Sequence, residues 1–225
     1  MTGYILEIAC FNLESAIIAE ESGANRIELC ENYEAGGISP SENLLKDVLH
    51  NTKIPVFAMV RPRAGDFCYA SKEIELMKKQ IHYFKKLNCA GFVFGVLTSD
   101  NKINFQVCGE LINAADPLPC TFHRAFDEIA DKDEALAGII NLGFKRILTS
   151  GGANTALEGG IEIARLTSLS KNKIIIVPGG GIRTSNIKEI AEVTNCSEFH
   201  SAAITNNSVI ADANEIKLMR KFLNR

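Results

Sequence analysis

Several side chains in this sequence have the chemistry to move protons or hold anions, and they recur where apolar runs end. The clearest case is LPCTFHRAFDEIA, residues 118–130, where an apolar run gives way to His123, Arg124 and Asp127. Histidine is the proton carrier of neutral pH, and a carboxylate such as Asp127 can fix its tautomer. Glu28, in RIELC, is a second acid–base candidate. Arg61 and Arg63, in RPRAGDFCY, offer forked donors that recognise carboxylate or phosphate, or else pair with Asp66 or Glu28. PGGGIRTSN, residues 178–186, is a glycine turn opening a helix. Backbone N–H groups at Gly179, Gly180 and Gly181, with the helix dipole behind them, would cradle an anion. SGGANT, beginning at Ser150, offers a second cradle, and His200 and Ser201 close another run, EFHSAA. Such a set suits acid–base work on a small phosphorylated or otherwise anionic metabolite.

These residues need a frame that brings strand ends together. Short apolar runs alternate with amphipathic stretches along the whole chain: YILEIAC, RIELC, PVFAMV, GFVFGVL, LPCTFH, RILTS, KIIIVP and EFHSAA each precede a helical pattern. Each unit averages about 28 residues, close to the step of a βαβ repeat. Strict alternation implies a parallel sheet, and a count of eight within 225 residues predicts a single-domain (β/α)8 barrel over residues 1–225. Such a barrel gathers its reactive groups at the carboxyl ends of its strands. Glu7 and Glu28 lie within strands, where an outward carboxylate would sit in apolar packing, so both are expected to point into the barrel. His50 and His82 fall in helices and read as surface residues.

Composition excludes other classes. The chain is 46% hydrophobic and 23% charged, ordinary for a globular protein with a sizeable core. A net charge of −3 and the lack of a long basic run argue against nucleic-acid binding. No apolar run approaches the ~20 residues of a membrane span. MTGYILEIAC lacks the features of a signal peptide, so a cytoplasmic location is expected. The seven cysteines form no CxxC pair and read as small buried hydrophobes in a reducing compartment.

With its motifs in order, the chain resembles the CutC family of copper homeostasis proteins. The resemblance rests on RIELC, GGISPS, RPRAGDFCY, FGVLTSD, TFHRAFD, RILTSGG, PGGGI and EFHSA, and runs nearly end to end. It implies a cytoplasmic barrel, a homo-oligomer (dimer or tetramer), and a role in copper handling. The family's suggested Cu(I) cysteines fall on Cys10 and Cys30. Cu(I) prefers thiolates, and neighbouring strands lie roughly 4.8 Å apart. Side chains alternate, however: if Glu7 and Glu28 face inward, Cys30 shares that face, and Cys10 needs a bulge or break after Ala9 to join it. The chain also departs from the family pattern at Ala64, where RPRGGDF is usual, and in its short path from SAAITNNSV to the last helix.

Two readings follow. One is a Cu(I)-binding protein using Cys10 and Cys30. The other is an enzyme for a small anionic ligand, with Glu28, Arg61, His123 and Asp127 catalytic and Arg63, Ser150, Gly179, Gly180 and Gly181 holding the ligand. A scaffold with a non-catalytic polar mouth is a third.

Overall fold

The computed structural model describes residues 3–206 and 208–223. Residues 1, 2, 207, 224 and 225, which the expected 1–225 domain includes, lie outside that description. Among the described residues, eight strands alternate with eight α-helices. The strands are β1 (Ile5–Cys10), β2 (Arg26–Leu29), β3 (Val56–Met59), β4 (Gly91–Phe94), β5 (Cys120–Phe122), β6 (Arg146–Thr149), β7 (Ile175–Pro178) and β8 (Glu198–Ser201). The helices are α1 (Leu13–Glu21), α2 (Glu42–Asn51), α3 (Ser71–Lys86), α4 (Phe105–Ala115), α5 (Lys132–Leu142), α6 (Gly160–Ser170), α7 (Ile187–Thr194) and α8 (Ala213–Leu223). Every ladder is parallel, in the order β7-β6-β5-β4-β3-β2-β1-β8, giving a nearly closed (β/α)8 barrel.

Local signals set the helix limits. Ser41 caps α2 by accepting the Leu44 N–H at 3.3 Å. Gly143 ends α5 in the left-handed region that its missing Cβ permits. His50 and His82 lie exposed on α2 and α3, as expected.

Period-two alternation divides each strand between two environments. Leu6, Ile8 and Cys10 of β1, Phe92 and Phe94 of β4, and Phe122 of β5 face the helices in the main apolar core. The other set fills the barrel in layers drawn from alternate strands, as the registers require. Arg26, Gly91, Arg146 and Glu198 form the lowest layer, with Glu7, Phe57, Thr121 and Val177 above it. Next come Glu28, Val93, Leu148 and His200. Ala9, Met59, His123 and Gly179 form the layer nearest the mouth.

The lower layers are a buried charge network. Arg26 donates to Glu7 Oε2 at 2.5 Å and to Glu198 Oε2 at 2.6 Å, and Arg146 Nε donates to Glu198 Oε2 at 2.8 Å. The guanidinium carbons of Arg26 and Arg146 sit 5.0 and 5.3 Å from the centre of the Phe57 ring. Each charge is compensated, which is the condition for burying it.

Candidate active site

The mouth holds a cavity of about 290 Å³ whose floor is the Glu28, Leu148 and His200 layer. Its flanks are unequal. Ala9, Gly180, Gly181 and Ala202 line the β7–β8–β1 side, and Met59, Arg61, Phe67 and His123 line the β3–β5 side. The small side chains of the first group leave the space, and Phe11 and Arg183 also line that side.

Two buried ionisable groups meet on the floor. His200 Nδ1–H donates to Glu7 Oε1 at 2.7 Å, and its Nε2 lies 3.8 Å from Glu28 Oε2. Burial opposes a charge on His200, yet Glu28 and Glu7 together raise its pKa above the usual value. Burial also opposes ionisation of Glu7, but the Arg26 guanidinium and His200 prevail and hold its pKa at about 2. For Glu28 burial wins, and its pKa is raised. Its Oε2 accepts from the Cys30 thiol at 3.5 Å, and its Oε1 is buried with no partner. Neighbouring carboxylates pushed in opposite directions mark groups with different roles.

His123 is held differently. Its Nδ1 accepts the N–H of Ala125 at 3.2 Å, which leaves the proton of the neutral ring on Nε2. Burial, helped by Arg61, lowers its pKa to about 3. Nε2 is buried and unpartnered, as is Arg61 Nε. An unsatisfied buried polar atom costs about 1–3 kcal/mol, so orphans on Glu28, Arg61 and His123 around one cavity mark where a ligand would complete the bonding.

Other expected site residues do different work. Asp127 does not orient His123. It accepts from Thr149 Oγ1 at 2.5 Å, from the N–H groups of Ser150 and Gly152, each at 3.1 Å, and from Arg124 Nε at 2.8 Å. The second anion cradle, SGG, is thus filled by the chain's own carboxylate. Ser150 Oγ accepts from Arg124 Nη2 at 2.9 Å, so Asp127 and Ser150 together aim Arg124. Arg61 reaches the cavity but binds the carbonyls of Ala35, Gly37 and Gly65 at 2.9–3.0 Å, tying the loops after β2 and β3 together. Arg63 lies outside the cavity, paired with Glu73 at 2.7 Å and Asp66 at 2.9 Å. Gly179 backs onto Leu148, and only Gly180 and Gly181 of the triplet line the cavity.

The two-thiolate pair does not assemble. β1 pairs with β2 without a bulge through Cys10↔Leu29, so Cys10 faces the helices, its thiol 3.6 Å from the Ile8 carbonyl. Cys30 faces inward beside Met59. Burial and Glu28 raise the pKa of both thiols. Cys10 and Cys30 therefore do not fit a shared Cu(I) site.

Two cations join the site beyond the residues to which the sequence assigns roles: Arg124, named beside His123 but given no role, and Arg183, not singled out. Arg124 and Arg183 both line the cavity. A Cβ at Gly180 would sit 3.4 Å from the Arg124 guanidinium carbon, so glycine there lets the cation approach the turn. Arg183 is braced by the carbonyls of Ile182 and Ile204 at 2.7 and 3.0 Å. Their positions were the available signal: Arg124 follows His123, and Arg183 ends PGGGIR.

The CutC family profile matches residues 4–205. The chain belongs to the CutC family. It is 45% identical over 201 residues to the copper homeostasis protein cutC homolog of Homo sapiens, covering 89% of this chain and 74% of that protein. A solved CutC structure from Streptococcus agalactiae superposes with a TM-score of 0.85 at 33% identity, over 90% of this chain and all of that one. A phosphoribosyl anthranilate isomerase in complex with reduced 1-(o-carboxyphenylamino)-1-deoxyribulose 5-phosphate shares the barrel alone, with a TM-score of 0.66 at 14% identity over 98% of each chain. No helix among the described residues is long and apolar enough to cross a membrane.

Proposed function

We propose that this CutC-family chain is an enzyme performing acid–base chemistry on a small anionic metabolite in its barrel mouth. The observation that carries the reading is the Glu28–His200 pair on the cavity floor, with Arg124 and Arg183 at the wall above it. An acid–base pair supplies and withdraws protons, and the two cations with Gly180 and Gly181 hold a phosphate or carboxylate. Thermal denaturation in the presence of inorganic phosphate and a set of sugar phosphates tests it. Stabilisation is expected for the wild type and is expected to vanish in an Arg124→Ala/Arg183→Ala variant. If none of these anions stabilises the wild type, the reading fails.

A copper reading is favoured by one different observation: Cys30 and Met59 share the inner cluster, giving two soft sulfur donors in the barrel. The copper-homeostasis name of the human relative points the same way. In anaerobic Cu(I) titration, Cys30→Ser should remove tight binding and Cys10→Ser should retain it. Equal binding by the wild type and Cys30→Ser would end this reading. Seven free thiols suit a reducing cytoplasm under either reading.

A further inference from the structure

We propose that the reaction is enolisation: Glu28 removes a proton from a carbon next to a carbonyl, while His123, uncharged, donates an Nε2–H hydrogen bond to the carbonyl oxygen. This rests on the acid–base reading and names the substrate class, short α-hydroxy aldehydes or ketones that carry a phosphate or carboxylate.

The geometry supplies complementary halves. Glu28 Oε1 is a buried acceptor without a partner, and His123 Nε2 is a buried nitrogen without one. The residues belong to adjacent layers and line one cavity, Glu28 on the floor and His123 on the large flank. The Ala125 N–H occupies His123 Nδ1, so a proton on that nitrogen would break an existing bond. His123 is therefore built to be a neutral donor, not a general acid that starts as imidazolium. A carboxylate base facing an uncharged imidazole is the arrangement suited to making and holding an enediolate. The lowered pKa of His123 and the raised pKa of Glu28 agree with these roles.

The step balances without a co-reactant. The C–H electron pair becomes the new carbon–carbon π bond, and the carbonyl π pair moves onto the oxygen held by His123. The proton on Glu28 exchanges with solvent and returns to the same carbon, giving exchange, or to the neighbouring carbon. The second route gives an isomer once the hydroxyl proton has passed to the former carbonyl oxygen, with His123 Nε2 as the relay between the two oxygens. His200, braced by Glu7, favours ionised Glu28 before abstraction. Arg124 and Arg183 fix the anionic end, which leaves the carbonyl end for the floor.

The test uses the full chain in D2O with a panel of phosphorylated and carboxylated α-hydroxy aldehydes and ketones, read by proton NMR for loss of the C–H signal beside the carbonyl. The wild type is expected to exchange that proton. Glu28→Gln should slow exchange by at least about 100-fold, the usual contribution of a positioned base, while keeping phosphate-induced thermal stabilisation. His123→Gln should also slow it, with no titration of His123 visible in the wild-type rate above pH of about 5, given its depressed pKa. Wild-type exchange no faster than the protein-free rate across the panel overturns the proposal, as does undiminished exchange in Glu28→Gln. If phosphate still stabilises the fold in that case, the anion-binding enzyme reading stands and enolisation alone falls.

Discussion

Glu7 grips His200 through Nδ1 at 2.7 Å, and this contact joins the reactive floor to the charge network beneath it. Arg26 holds the far oxygen of the same carboxylate at 2.5 Å. One side chain therefore serves as a counter-ion for both layers.

Glu7→Gln should destabilise the fold by roughly 3–5 kcal/mol, because it leaves Arg26 and His200 buried with less compensation. The pH dependence carries a sign for each group. The lowered pKa of Glu7 contributes stability that is complete above its ordinary 4.5 and is lost as pH falls toward 2. The raised pKa of His200 contributes stability that is complete below its ordinary 6.5 and is lost as pH rises through its folded value. Denaturant midpoints measured across pH should fall at both ends in the wild type. Glu7→Gln should reduce both falls, leaving at the acid end the loss between pH 6.5 and about 3 that buried, neutral His123 contributes.

Arg124→Ala should weaken phosphate binding by about tenfold or more, the loss of a charge-assisted contact worth about 1.5–3 kcal/mol. Arg63→Ala, whose partners are Glu73 and Asp66 outside the cavity, should leave it unchanged. Calorimetric titration with phosphate separates the two.

Native thiols should react in an order set by burial. Cys68 is exposed and the other six cysteines are buried. An aromatic disulfide reagent at neutral pH should label one thiol rapidly, and Cys68→Ser should abolish that phase. Rapid labelling of Cys30 would contradict its burial and raised pKa.

Gly159→Ala should loosen the loop that aims Arg124. A Cβ there would lie 1.9 Å from the Ser150 carbonyl oxygen, a backbone clash that cannot be relieved by turning a side chain. A loss of about 1–3 kcal/mol is expected, with weakened phosphate binding beyond what Ile161→Ala on the outer helix surface causes.

The architecture was legible because periodicity is local: RILTS and KIIIVP mark β6 and β7 without any knowledge of their partners. Alternation even gave the parity of Cys10 and Cys30, which the unbroken β1–β2 register bears out. What the sequence hid was competition for each polar group. Nothing local says that the carbonyls of Ala35, Gly37 and Gly65 will take Arg61, or that Asp127 will fill the SGG nest. Arg63 leaves the cavity because Glu73, on the next helix, competes for it. His123 and Asp127 are four positions apart, yet an Ala125 amide intervenes. Such outcomes depend on loop geometry set by distant strands.

The unequal flanks of the cavity carry a stereochemical consequence. In the proposed enolisation, a flat enediolate whose anionic end is held by Arg124 and Arg183 would offer only one of its two faces to Glu28 on the floor. Deuterium delivered from that single side would yield one enantiotopic label, so the lopsidedness of the barrel mouth would be written into the handedness of its product.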